Sequence, residues 1–182
     1  VYQLAIPFRE TVRHATSERR VSESVVAEVR LRDGTEGFGE TLPRSYVTGE
    51  TVSTVLDAIE SAFIKPLTTF HAHQFAEALE QIDELPWENP AGTPIPAARA
   101  AVEMAMLDAV LDSYGRSIDD VTSWLGLPGF GSPGSSRSIR FSGVLAAESL
   151  PQTMRQLRKM YWGGHRQFKL KVGFDGDAAI FD

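Results

Sequence analysis

The sequence predicts an α+β fold over residues 1–125, joined to the start of a second, parallel β/α structure. Three observations carry this reading. Alternating strands crowd the first part of the chain, apolar helices fill the middle, and a strand–helix–strand rhythm begins only after a stretch rich in Gly, Pro and Ser. Of 182 residues, 18 are basic and 24 acidic, for a net charge of −6, and none is Cys. The lack of Cys excludes disulfides, thiolate nucleophiles and Cys-type zinc sites, and fits a reducing, cytoplasmic setting. Hydrophobic residues make up 42% and charged residues 23%, the balance of a folded globular chain. An acidic balance argues against a nucleic-acid partner. No apolar run approaches the roughly 20 residues that span a bilayer, so no membrane segment is expected.

Val1 to Ile6 reads as a short strand ended by Pro7, and Arg9 to Glu23 as a charged, polar loop. In Ser24 to Arg32, Val25, Ala27, Val29 and Leu31 share one face, with Glu28, Arg30 and Arg32 opposite. Asp33-Gly34 is a hairpin turn signal, and Thr35 to Glu40 returns as the partner strand. Val52, Val55, Leu56, Ile59 and Phe63 set a helix from Thr51 to Lys65 that Pro66 stops. Gln74 to Ile82 is a second helix. Four prolines in Glu84 to Pro96 mark a loop. Ala97 to Tyr114 is the strongest helix, apolar nearly all round and therefore buried on most sides. Ile118 to Leu125 is one further short helix. Residues 126–137 form the linker, and 138–182 bring strand (Ile139 to Leu145), helix (Leu150 to Met160), strand (Gln167 to Val172) and the start of another helix near Asp177. That order demands parallel strands covered by helices.

Few constellations carry chemistry. Gly129-Phe-Gly131-Ser-Pro-Gly134 spells a dinucleotide fingerprint, but it precedes a strand and stays in loop, which is the wrong context. His71-Ala-His73 could ligate a metal. With no third ligand nearby, the plainer reading is polar residues where a helix begins. Phe168-Lys169-Leu170-Lys171-Val172 is the informative segment, because on a strand Lys169 and Lys171 point the same way. Either they lie in water on an amphipathic edge strand, or they line a polar site at the strand's C-terminal end. In the second case their mutual repulsion favours a neutral amine, which can act as a base. Ser142 is read near the C-terminal end of the preceding strand, where its hydroxyl could meet substrate.

Together these residues resemble the enolase superfamily, and within it the muconate-lactonizing-enzyme and mandelate-racemase-like subgroup of cycloisomerases, dipeptide epimerases and o-succinylbenzoate synthases. The resemblance rests on Gly37-Phe38-Gly39-Glu40 closing the hairpin, on the helix Ala97 to Ala109, and on Lys169-Leu170-Lys171 followed by Val172-Gly173, in that order. It implies an α+β capping domain, a three-stranded sheet plus helices, followed by the first two βα units of a (β/α) TIM-type barrel. It also implies removal of the proton α to a carboxylate through an enediolate, assisted by Mg²⁺ or Mn²⁺, in a racemase, epimerase or cycloisomerase.

By this resemblance Lys171 is the base and Lys169 the contact to the substrate carboxylate. Two capping-domain loops would close over a small carboxylate-bearing substrate, offering Arg13 and His14 in one and Arg44, Tyr46 and Thr48 in the other, with Ser142 on the first barrel strand. The metal ligands and a second base are expected beyond residue 182. Asp175, Asp177 and Asp182 directly follow the second strand and are not taken as ligands. A homo-oligomer is compatible with the resemblance. The alternative is a non-catalytic, truncated homologue acting as a binding or structural module.

Overall fold

The computed structural model describes residues 1–14, 17–126, 139–145 and 149–171, with backbone alone at 10, 12–14 and 17–18. The strands are β1 (Tyr2–His14), β2 (Ser17–Arg30), β3 (Glu36–Thr41), β4 (Ser142–Leu145) and β5 (Gln167–Leu170). The helices are α1 (Val52–Ala58), α2 (Ile64–Thr69), α3 (Phe75–Asp83), α4 (Pro96–Ser113), α5 (Ile118–Trp124) and α6 (Leu150–Trp162). They fall into two compact units, one of Val1–Phe8 with Val21–Ser135, the other of Arg9–Arg20 with Ser136–Asp182. Among the described residues no helix is long and apolar enough to cross a membrane. The Gly-rich fingerprint, most of the linker and the helix expected near Asp177 lie outside the described residues.

The sheet runs in the order β1-β2-β3. β2 and β3 are antiparallel, with Ala27 opposite Gly39 and Val29 opposite Gly37. The alternation in the sequence holds: Val25 and Ala27 are buried, as are Gly37, Gly39 and Thr41 on β3. The turn between them closes through Leu31 N–H donating to the Thr35 carbonyl at 2.8 Å, with Gly34 at φ +92°. That left-handed conformation is one that glycine adopts without a Cβ penalty.

Two expectations are corrected here. The first is the break at Pro7 with a polar loop over 9–23. β1 instead runs through Pro7 to His14, and β2 begins at Ser17. β1 is an edge strand, where a proline's missing N–H costs no ladder bond. Neighbouring strands separated by two residues can only be antiparallel, so the supposed loop is the far end of a long hairpin. The second is the stop at Lys65-Pro66. The helix goes on, through a π-helical turn (Ile59–Phe63), into α2 as far as Thr69. The wider turn accommodates a residue that has no N–H to donate and would crowd the preceding turn of a regular α-helix.

Helix α4 is the centre of the first unit. It buries Ala97, Ala98, Ala101, Val102, Ala105, Met106, Ala109 and Val110. Val25, Ala27, Val55, Ala58, Phe63, Ala78, Ile82 and Leu85 join them in one apolar cluster. β3 meets α4 backbone to backbone. A Cβ on Gly37 would sit 2.2 Å from the Ala105 carbonyl oxygen, and one on Gly39 would sit 2.0 Å from that of Ala101. The alanines at 101, 105 and 109 recur every fourth residue, so they present one face of small side chains to those glycines. Phe38 N–H, on the open edge of β3, donates to Asp108 Oδ2 at 2.9 Å.

Two buried charges brace the helix. The Glu50 carboxylate accepts from Ala97 N–H at 2.6 Å and Ala98 N–H at 3.1 Å, which satisfies two of the free amides of the first turn. The Arg99 guanidinium donates to the Leu85 and Asp83 carbonyls, lies 4.0 Å from the Trp87 ring centroid, and pairs with Glu103 at 3.1 Å without hydrogen-bond alignment. It thereby ties the end of α3 to α4.

Gly37→Ala or Gly39→Ala should lower stability by about 3 kcal/mol, since the added methyl meets backbone that cannot turn aside. The midpoint of urea unfolding measures it, and an unchanged midpoint would refute the close approach. A second expectation concerns acid. Hydrogen bonds from Ser113 Oγ and Thr35 N–H hold the Asp33 carboxyl below its ordinary value. A depressed carboxylate contributes stability above its unfolded value, about 3.9, and loses it as pH falls through the folded one. Asp33→Asn should therefore flatten the decline of melting temperature below about pH 4.

Candidate active site

In the second unit β4 and β5 pair in parallel, with Ser142 opposite Gln167, Val144 opposite Lys169 and Leu145 opposite Leu170. The ladder continues one step, because Lys171 N–H donates to the Leu145 carbonyl at 2.8 Å. Helix α6 covers one face. A Cβ on Gly143 would meet Met160 Sδ at 2.8 Å, and Gly143 and Leu145 are buried there with half-buried Phe168 and Leu170. Period two then puts Ser142, Val144, Gln167 and Lys169 on the face away from α6, and all four are exposed. Lys171 follows in the same phase at the C-terminal end and is half-buried. The two lysines thus share the strand face that α6 leaves open, with Lys171 at the C-terminal end of the pair.

Ser142 does not share that end. It is the first residue of β4, not near its close, because the strand begins three residues later than its apolar run suggests. Its level in the sheet is that of Gln167, about 13 Å from Lys171 at roughly 3.3 Å per residue. A cleft of about 440 Å³ in this unit also lies at the opposite end of the strands from Lys171. Arg140, Phe141, His165, Arg166 and Gln167 line it, all before or at the start of the strands.

The remaining candidates divide between the hairpin and the segment after β3. Arg13 and His14 lie in the last residues of β1, within the same compact unit as Lys169 and Lys171, and their side chains are outside the described residues. Arg44, Tyr46 and Thr48 lie in the first unit. The Arg44 guanidinium donates to the Pro43 carbonyl at 2.6 Å and the Glu23 carbonyl at 3.4 Å. The Arg44 carbonyl in turn accepts from the N–H groups of Val47 and Thr48 at 2.8 and 2.9 Å. Thr48 Oγ1 accepts from Glu50 N–H at 3.4 Å. Arg44 and Thr48 are thus engaged in the loop's own shape, and Tyr46 is left exposed at its tip. Sequence reasoning missed Glu50, whose cap fixes where this loop ends; a lone acidic residue ahead of a helix gives no hint that its partners lie 47 residues on.

No family model matches the chain. It is 31% identical over 178 residues to a hydrophobic dipeptide epimerase of Citrifermentans bemidjiense, covering 94% of this chain and 42% of that protein. It is 30% identical over 171 residues to an L-Ala-D/L-amino acid epimerase of Populus trichocarpa, covering 93% and 37%. In structure it is similar to a muconate lactonizing enzyme from Mucobacterium Smegmatis complexed with muconolactone, at a TM-score of 0.75 and 25% identity over 98% of this chain and 45% of that one. These likenesses to dipeptide epimerases and to a muconate lactonizing enzyme support the muconate-lactonizing and mandelate-racemase-like group of the enolase superfamily, of which the chain resembles the N-terminal portion. It spans less than half the length of the curated relatives it matches.

Arg44→Ala should cost about 1–2 kcal/mol, the usual loss for hydrogen bonds made by a charged donor. A drop in melting temperature with faster proteolytic cutting within 42–49 checks it; a purely substrate-facing Arg44 would leave both unchanged.

Proposed function

We propose that the chain forms the N-terminal part of a metal-dependent epimerase acting on dipeptides, with Lys171 as the base on one face of the substrate. One observation carries the reading: Lys169 and Lys171 stand in phase on the strand face that α6 leaves open, with Lys171 at the C-terminal end. An amine there can take the proton from the carbon α to a carboxylate and hold it on Nζ. The Lys169 ammonium, one period earlier on the same face, binds the carboxylate. Arg13 and His14, at the hairpin end, supply substrate contacts and set selectivity.

Dipeptides are favoured as substrate because the sequence relatives are named as dipeptide and L-Ala-D/L-amino acid epimerases. A similar structure, the dipeptide epimerase of Methylococcus capsulatus (TM-score 0.74, 22% identity, 99% of this chain and 46% of that one), was solved with Mg and the dipeptide L-Arg-D-Lys. In this reading a divalent metal supplies charge to steady the enediolate. Among the described residues no group of three or more His, Asp or Glu could hold it, so no ligand is assigned in this chain.

The test is exchange of the α-proton in D₂O by the full-length protein, supplied with Mg²⁺ and a dipeptide in either epimeric form. Lys171→Ala should slow exchange of one epimer at least about 100-fold with the melting temperature retained. Exchange at the wild-type rate would remove Lys171 from the chemistry.

A further inference from the structure

In the first unit, the segment between α2 and α3 carries His71 and His73. Ala72 turns inward, and its carbonyl accepts from the Tyr114 hydroxyl at 3.0 Å. His71 and His73 turn outward, both exposed. Their Nε2 atoms converge to 3.2 Å, with the rings edge-on at 86°. Two imidazole nitrogens bound to one tetrahedral ion at 2.0–2.1 Å stand about 3.3–3.4 Å apart. The two rings meet at hydrogen-bond distance, and the same spacing lies close to that of two ligands on one ion.

The backbone that carries the pair is held on both sides. The Gln81 amide grips His71 from α3, accepting from its N–H at 3.2 Å and donating to its carbonyl at 2.6 Å. Glu77 Oε2 accepts from His73 N–H at 2.7 Å and from Gln74 N–H at 3.3 Å. The Glu77 side chain thus holds the backbone of the loop that carries the two imidazoles. The spacing His-x-His alone had pointed to polar residues where a helix begins. What it could not show is that the two Nε2 atoms meet on a braced loop.

We propose that His71 and His73 form a surface site for a transition-metal ion of the Zn²⁺, Ni²⁺ or Cu²⁺ class, with water completing the coordination. Imidazole suits these ions, and Mg²⁺ prefers oxygen ligands. The site is therefore separate from the divalent ion of the proposed reaction, and its failure or success leaves that reading untouched.

Calorimetric titration of the full chain with Ni²⁺ and Zn²⁺ tests it, alongside electron paramagnetic resonance of the Cu²⁺ form. One ion per chain is expected, with two nitrogen ligands in the Cu²⁺ spectrum. His71→Gln or His73→Gln should each weaken binding about tenfold or more, His165→Gln should leave it unchanged, and millimolar Mg²⁺ should not compete. Both variants change exposed side chains, and an unaltered melting temperature confirms that each is folded. Absence of binding, binding indifferent to both variants, or displacement by Mg²⁺ would overturn the site.

Discussion

Two glycines set into one edge strand let the sheet touch the helix. Gly37 and Gly39 bring the β3 backbone against the backbone of α4 at Ala101, Ala105 and Ala109, at distances that leave no room for a Cβ. Close-packed interiors cannot absorb an extra methyl by compression, so this contact fixes the height of the sheet on the helix. β2, α1, the π-helical turn and α3 join α4 in one apolar cluster. Val25 and Ala27 reach it from β2; Phe63, Ala78 and Ile82 reach it from the flanking helices.

The same helix orders the segment that follows β3. That segment leaves α4 at Gly39 and Thr41, turns through Arg44 to Thr48, and returns to α4 at Glu50, whose carboxylate caps its first turn. It is held at both ends by one rigid element, with Tyr46 and Val47 exposed between. The arrangement suits a loop meant to present side chains, because the anchors absorb the conformational cost and leave the tip free to vary.

The paired lysines follow from a separate constraint. A two-residue period and one covering helix suffice to place Lys169 and Lys171 on a common face. Lys169 is exposed and Lys171 half-buried on that face, with Lys171 one step beyond the last paired residues.

The sequence by itself determined the element types wherever the hydrophobic period was strong: β2 and β3 from alternation, α4 from near-continuous apolarity, β5 from the phase of its lysines. It also determined which residue types could do chemistry. It failed where local signals pointed one way and the partner decided otherwise. Pro7 reads as a strand end unless the strand lies at a sheet edge, and Pro66 reads as a helix stop unless a π turn precedes it. The carbonyls of Glu23 and Pro43 that Arg44 meets are invisible in the sequence. Ser142 reads as lying near the end of its strand until the register places it level with Gln167. Only the tertiary structure decided these, and the Glu50 cap and the meeting of His71 with His73, because hydrogen-bond partners and register are set by three-dimensional neighbours that a one-dimensional period does not encode.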